Sequence, residues 1–162
     1  MSEKKYESQV KEIPYTQEMV YNKLSDLNNF AIIKERLSDP QYLNALAQNP
    51  NIKADELERI SKTVSEMNFD TDSISCNVPP LGQVALRVIE RDMPKCIKFE
   101  TEKSPIHLNL WIQLLPVTAS SCKMKLTVGA DLNMFIRGMV EKPLKEGVER
   151  LATMLASIPY DF

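Results

Sequence analysis

The sequence predicts an α+β domain in which a curved antiparallel sheet wraps around one long C-terminal helix, with an apolar pocket between them. From residue 68 onward, apolar residues recur at every second position in segments separated by turn-forming residues. The links between these segments are short, which favours antiparallel pairing because parallel strands need longer crossovers. The last part of the chain, residues 133–158, carries apolar residues at helical spacing instead.

The N-terminal segment predicts one strand followed by a helix. Residues 4–13 mix β-forming and charged residues and precede Pro14, which is typical of an edge strand. Thr16 is a good helix N-cap, and apolar residues follow it at helical spacing as far as about Asp26.

A helical insert follows this first helix. Residues 27–67 show helical rather than alternating spacing, and Asp39 and Pro40 place an N-cap before a proline in the first turn. We therefore expect a single domain over 1–162 with a helical insert at 38–66.

The remaining strands complete a sheet of about six. Five candidates follow the insert, at residues 69–78, 82–91, 95–103, 106–115 and 121–132. Alternation is clearest in the last two, and it predicts one buried and one largely wet face of the sheet. The buried row would consist of Ile106, Leu108, Leu110, Ile112 and Leu114, then Cys122, Met124, Leu126, Val128 and Ala130.

The C-terminal helix contains three residues that disfavour helix. Asn133 is a plausible N-cap, and Pro143 should kink the axis because it removes a helical hydrogen bond. Gly138 and Gly147 each cost about 1 kcal/mol relative to alanine. Either close packing on the sheet or room for a ligand would account for the two glycines.

Composition excludes several classes of function. Of the 162 residues, 43% are hydrophobic and 26% charged, as in ordinary globular proteins, and the net charge is −2. Basic residues are interleaved with acidic ones, so we expect no nucleic-acid partner. No segment approaches the roughly 18 apolar residues of a membrane span. The first residues lack the apolar stretch of a signal peptide, and we expect a cytoplasmic protein.

No residue set forms a catalytic or metal-binding signature. His107 is the only histidine, which excludes a histidine-rich metal site. Cys76, Cys96 and Cys122 are too widely spaced for a metal clip and lie in apolar strand-like stretches, where cysteine acts as a small hydrophobic residue. No glycine-rich phosphate-binding loop is present. We therefore expect no cofactor, no metal and no catalytic residue.

The order of the elements resembles a known superfamily. The segments EIPYTQEMVYNKLSDLNNF (12–30), VPPLGQVALRVIERDMPKCIKFE (78–100) and LNLWIQL (108–114) are similar to the first strand and helix, the hairpin and the central strand of the helix-grip superfamily. This START-like or SRPBCC group includes lipid-transfer domains, the birch-pollen allergen and polyketide cyclase/dehydrase-like proteins. The resemblance covers nearly the whole chain except about 38–66, where the insert is longer, and it implies a fold rather than one activity.

Three functions follow as hypotheses, in decreasing order of support. The first is non-catalytic binding of a hydrophobic or amphipathic small molecule, lipid-like or polycyclic, between sheet and C-terminal helix. The expected lining residues are Leu86, Val88, Phe99, Leu110, Ile112, Met124, Leu126, Phe135, Met139 and Val140.

The second hypothesis is an interaction module with a filled core that forms a homodimer or binds a partner around Trp111 or the insert. The third is a cyclase-like enzyme. Its few polar candidates near the cavity are Ser73, Ser75, Glu90 and Thr101, and the strand register decides which face they occupy.

Overall fold

A single antiparallel sheet organises the computed structural model, which describes residues 4–48, 50, 53–78, 82–102, 106–131, 134–156 and 160. The side chains of residues 33, 56, 59, 60, 63, 64, 76–78, 82, 134 and 135 are outside that description. The predictions for Asn133 and Ile158, and for the side chains of Cys76 and Phe135, therefore fall outside the described residues.

Eight strands and five helices lie within the described residues. In chain order they are β1 (Lys4–Glu7), β2 (Lys11–Ile13), α1 (Gln17–Ser25), α2 (Asn29–Arg36), α3 (Pro40–Ala47), α4 (Ala54–Ser65), β3 (Asn68–Phe69), β4 (Ser73–Val78), β5 (Gly82–Asp92), β6 (Cys96–Glu102), β7 (His107–Thr118), β8 (Ser121–Asp131) and α5 (Met134–Ala156).

The sheet has the order β1-β8-β7-β6-β5-β4-β3, with β2 also paired to β8, and its pairings are antiparallel. This confirms the predicted α+β architecture, with eight strands instead of about six. The short β3 adds one strand, and the predicted strand 4–13 is divided into β1 and β2.

Ser8 divides the first strand. Its backbone N–H donates to the carbonyl of Leu126 and its Oγ accepts from the amide of the same residue, both at 2.9 Å. The Ser8 hydroxyl thus replaces a backbone acceptor in the ladder. The chain resumes its pairing with β8 only at Lys11, so Val10 is left exposed.

The helices begin where the sequence predicts. Thr16 caps α1 and accepts a hydrogen bond from the amide of Met19 at 3.2 Å. Asp39 caps α3 through the amide of Gln41 at 3.0 Å, and Pro40 occupies the first turn. Helices α2, α3 and α4 occupy the stretch in which helical spacing was found.

The helices cover the sheet unevenly. Helix α1 contacts β7 and β8, where Gln17 donates from Nε2 to the buried carbonyl of Leu114 at 3.0 Å. Helix α5 packs on β1, β2 and β8, and α4 contacts α5, α2 and α3. None of the described helices is long and apolar enough to cross a lipid bilayer.

Candidate functional site

The inner face of the sheet is a continuous apolar surface. Across five neighbouring strands the register aligns Tyr6, Val128, Leu110, Phe99 and Val88 in one row. All five side chains belong to the hydrophobic core or pack against it. The alternation predicted for β7 and β8 is therefore confirmed, and it fixes which side of the sheet faces the helices.

Most of the predicted lining residues lie on this inner side. Leu86 is half-buried, and the following are buried: Val88, Phe99, Leu110, Ile112, Met124, Leu126 and Val140. Whether they contact a ligand stays a prediction.

Met139 does not lie with them. Its side chain is 56% exposed, on the same face of α5 as the exposed Lys142 and Glu146. Met139 lies next to the buried Val140 in sequence but about 100° away around the helix axis. Its contact with a ligand stays a prediction, and its exposure does not favour it.

Ion pairs fasten one flank of α5 to the edge of the sheet. Lys4 of β1 pairs with Glu141 at 3.2 Å, and Lys11 of β2 pairs with Glu149 at 3.3 Å. The carboxylate of Glu149 also accepts from the backbone amide of Gln9, at 3.2 and 3.3 Å. These contacts place α5 over β1, β2 and β8, so the opposite flank of the helix points toward the inner face of the remaining strands.

Gly147 lies on that opposite flank and leaves a gap there. Val140 and Met154, seven residues to either side on the same helix face, are buried, yet Gly147 is exposed. A Cβ atom added at Gly147 would meet no atom of the described part within 4 Å. Close packing therefore does not explain this glycine, which borders solvent-accessible space on this flank of α5.

Gly138 is also open, but for a different reason. It too would have no neighbour of the described part within 4 Å of an added Cβ. It shares its face with the exposed Lys142 and Lys145, so the space around it is solvent. Close packing on the sheet therefore explains neither glycine. Room for a ligand stays a possible reason for Gly147 alone.

Partly buried apolar side chains occur both on this flank of α5 and on the inner face of the sheet. Ile136 and Leu151 share the face of Gly147, while Leu86 and Val128 point inward from the sheet, and all four pack against the core only in part. By contrast, Leu126 beneath α5 and Leu24 of α1 are 0% and 1% exposed. We call the region between the Gly147 flank of α5 and the inner face of β5–β8 the trough. The inner-face residues of β5–β7 are themselves buried, among them Val88, Phe99, Leu110 and Ile112.

Two buried polar atoms at this helix–sheet contact have no hydrogen-bond partner in the described part of the chain. They are the hydroxyl oxygen of Tyr6 and the Nε of Arg137. Tyr6 is only 4% exposed, on β1, which packs directly under α5. Sequence reasoning missed Tyr6, although it stands as one apolar residue between Lys5 and Glu7, the alternation that signals an inward-facing strand position.

Solved structures of the same architecture are known. Norcoclaurine synthase from Thalictrum flavum, in complex with dopamine and hydroxybenzaldehyde, has a TM-score of 0.63 at 15% identity, over 96% of this chain and 85% of that one. A START superfamily protein from Mycobacterium smegmatis has a TM-score of 0.59 at 12% identity, over 96% and 95%. An HSP90 activator from Plasmodium falciparum has a TM-score of 0.53 at 14% identity, over 88% and 86%. The chain has the helix-grip fold. No protein-family model and no curated protein matches its sequence.

None of the four polar residues that the sequence offered for a cyclase-like enzyme provides a free catalytic group on the inner face of the sheet. Ser73 and Ser75 flank the inward-facing Ile74 and so lie on the other face, and Glu90 is exposed. Thr101 does face inward, opposite Leu86. Its Oγ1 is already used: it donates to a backbone carbonyl at 3.3 Å and accepts from a backbone amide at 3.0 Å.

Metal and thiol chemistry have equally little support. No group of three or more histidine, cysteine or acidic side chains that could hold a metal ion occurs within the described residues. Cys96 and Cys122 are free thiols, and burial raises the pKa of each above that of an ordinary cysteine. A raised pKa keeps a thiol protonated and unreactive, which agrees with a packing role.

The outer face of the sheet carries His107 and Trp111, which alternate along β7 with the buried residues. His107 is exposed and lies 3.0 Å from Glu100, as predicted for the wet face. Trp111 is half-buried, and the ammonium groups of Lys5 and Lys98 lie 5.4 and 5.1 Å from its ring centre. A dimer around Trp111 stays a prediction, and these lysines cover part of the ring it would use.

A concavity of about 370 Å³ is polar and is lined by none of the residues of the α5–sheet contact. It is lined by Asp70, Thr71, Asp72, Ser73, Arg87 and Glu102. Its charges are largely satisfied within the protein, since Arg87 lies 3.6 Å from Glu102 and Asp70 accepts from the Ser73 hydroxyl at 2.7 Å. This concavity lacks the apolar lining that a hydrophobic ligand requires.

Proposed function

We propose that this protein binds an apolar or amphipathic small molecule, lipid-like or polycyclic, in the trough between α5 and the inner face of the sheet. The observation that carries the proposal is the open space at Gly147, between the buried Val140 and Met154 on the same helix face. A gap lined by leucine, valine and isoleucine favours an apolar occupant because such surfaces hold water poorly. The complex of norcoclaurine synthase with two aromatic molecules supports the use of this fold for such compounds.

The affinity would come from burial of apolar surface. A ligand that buries about 300 Å² in the trough gains about 7 kcal/mol from the hydrophobic effect. The loss of translational and rotational freedom offsets a large part of that gain. We therefore expect weak binding of generic probes, with dissociation constants of about a millimolar or weaker.

The test fills the trough from the helix side. In Gly147→Phe the new side chain would occupy the gap, whereas in Gly138→Phe it would extend into solvent from the same helix. Both variants remove an interior helix glycine, so they are matched in backbone effect. The probe is N-phenyl-1-naphthylamine, a neutral apolar dye whose fluorescence rises when water is excluded.

The expected result is that wild type and Gly138→Phe bind the dye with similar affinity and Gly147→Phe does not. Circular dichroism establishes that both variants are folded. Equal dye binding by the two folded variants would place the site elsewhere and refute the proposal.

A further inference from the structure

The β5–β6 turn and the β7–β8 turn lie side by side at one end of the sheet. The amide of Leu114 donates to the carbonyl of Lys95 at 2.7 Å, which places the β5–β6 turn beside β7. Beyond this contact β7 continues for four residues to Thr118, which pairs with Ser121 of β8. At about 3.3 Å per residue, the β7–β8 turn projects about 13 Å past it. We call the two turns, residues 92–95 and 115–121, the hairpin tips.

The hairpin tips carry large apolar side chains that the fold leaves in solvent. Met93 is 61% exposed, Leu115 is 54% exposed and Val117 is 45% exposed. Eight large apolar side chains are exposed within the described residues, and these three gather at one end of the sheet. Such a cluster marks a surface that meets another apolar body.

Charged residues at the hairpin tips balance one another. Lys95 follows Met93 in the first turn, and Lys123 lies directly opposite Leu115; both lysines are exposed. The acidic Asp92 precedes Met93, and Glu12 of β2 lies opposite Lys123. The tips therefore do not repel an anionic surface, and apolar contact would supply most of the binding energy.

Several polar groups of the hairpin tips are already satisfied, and others are absent. Pro94 and Pro116 have no backbone N–H. The amide of Ser120 donates to Oγ1 of Thr118 at 3.2 Å, and the hydroxyls of Thr118 and Ser121 share a hydrogen bond of 2.6 Å. Because an unsatisfied donor costs free energy when it leaves water, these features favour entry into a lipid surface.

The same features argue against a protein partner. Leu114 donates from the edge of β7 toward β6, and every second residue of a strand faces the same edge. The next residue of that series is Pro116, which cannot donate to an added strand. A partner that covered the tips instead would meet three large side chains on a narrow projection, whereas a specific interface buries about 800 Å² per partner. A fluid bilayer requires neither strand pairing nor a matching surface.

We propose that the hairpin tips insert into the surface of a lipid bilayer and dock the protein there. Met93, Leu115 and Val117 would enter the boundary between headgroups and acyl chains, while Lys95 and Lys123 would lie at the level of the lipid phosphates. The inference goes beyond ligand binding in the trough and does not depend on it.

The first test measures sedimentation with vesicles of phosphatidylcholine and phosphatidylglycerol in equal amounts. Met93→Asp and Met139→Asp make the same change at side chains that are 61% and 56% exposed. Met139 is the matched control because it lies near Glu141, whose partner Lys4 pairs with the opposite end of β8. Met93→Asp and Leu115→Asp should each lower the partition coefficient about tenfold, the factor for burial of one such side chain. Met139→Asp should sediment as wild type does.

A second test measures how deeply the tips enter. Trp111 is the only tryptophan, so Trp111→Phe gives a background without tryptophan emission. In that background the indole of Val117→Trp should shift its emission to shorter wavelength when vesicles are added, and brominated acyl chains should quench it. The indole of Met139→Trp should show neither effect.

Three results would overturn the docking surface. They are absence of vesicle binding by wild type, binding by folded Met93→Asp and Leu115→Asp that equals wild type, and a wild-type dimer in sedimentation equilibrium that Leu115→Asp dissociates. The last would assign the tips to a second copy of the chain. Circular dichroism establishes that the variants are folded. The tips include none of the residues assigned to the trough, so dye binding should be unchanged in these variants and the two proposals fail separately.

Discussion

Alanine in place of either interior glycine of α5 should stabilise the protein. Both Gly138 and Gly147 lie within the helix Met134–Ala156, and an added Cβ at either position meets no described atom within 4 Å. No steric term therefore opposes the gain in helix propensity, which is about 1 kcal/mol for glycine to alanine. We expect each single variant to raise the free energy of unfolding by that amount.

The two effects should add. Nine residues of helix separate the positions by about 13.5 Å, beyond the range over which substitutions usually couple. The double variant should gain about 2 kcal/mol, or roughly 4–8 °C in melting temperature for a chain of this size. Urea denaturation followed by circular dichroism measures the gain, with an unchanged m-value as the sign that compactness is unaltered.

The reasoning fails if Gly147→Ala is neutral or destabilising while Gly138→Ala stabilises. That outcome would mean that the space beside Gly147 is filled in solution, and the trough would be lost with it. A loss of stability in both variants would instead show that α5 is not regular helix at these positions.

Three further predictions test other parts of the structure. Met139→Asp should leave dye binding unchanged and stability within about 0.5 kcal/mol, because the side chain is exposed; lost binding would return Met139 to the site. Arg91→Met should cost about 1–2 kcal/mol in urea denaturation, since Arg91 donates to the carbonyl of Ser25 at 3.0 and 2.8 Å; an unchanged midpoint would contradict this. Hydrogen bonds from Ser73 lower the pKa of Asp70, so this carboxylate stabilises the fold above the ordinary aspartate range and the effect is lost as pH falls below about 4. Asp70→Asn should therefore flatten the acid limb of the stability–pH curve, and an unaltered limb would show that Asp70 contributes nothing.

The sequence predicted the sheet well because its signal is local. Alternation along β7 and β8 identifies the inward row from Leu108 to Leu114 without knowledge of any neighbour. Helix starts at Thr16 and Asp39 were equally predictable, since a capping side chain acts on amides two or three residues away.

Features that depend on distant partners were not predictable. The break at Ser8 arises from two hydrogen bonds to Leu126, more than a hundred residues away, and nothing near Ser8 announces it. If the break is not known, residues 4–13 form one predicted strand in which Tyr6 and Val10 share a face. In the structure Tyr6 is buried and Val10 is exposed. Alternation marks Tyr6 as an inward-facing candidate, but only the pairing of β1 with β8 separates it from Val10.

The position of α5 on the sheet was not predictable from the helix alone. Apolar alternation indicated an oily inner face, yet the stripe of α5 could not show that the helix lies to one side of the sheet. That offset is held by ion pairs of Glu141 and Glu149 with lysines of the first two strands. The position of α5 over β1, β2 and β8 determines which residues of the helix lie beside the sheet. It could not be deduced from the helix sequence.

The one-sided attachment of α5 separates two tasks that a buried helix usually combines. Glu141 and Glu149 pair with lysines of β1 and β2, whereas Gly147 and Leu151 lie on the flank where we propose that the ligand binds. Substitutions at position 147 should accordingly change the size of the trough without disturbing strand pairing. A graded series of alanine, valine and leucine at position 147 would then exclude probes in order of their bulk, which makes this helix a natural starting point for redesigning ligand preference.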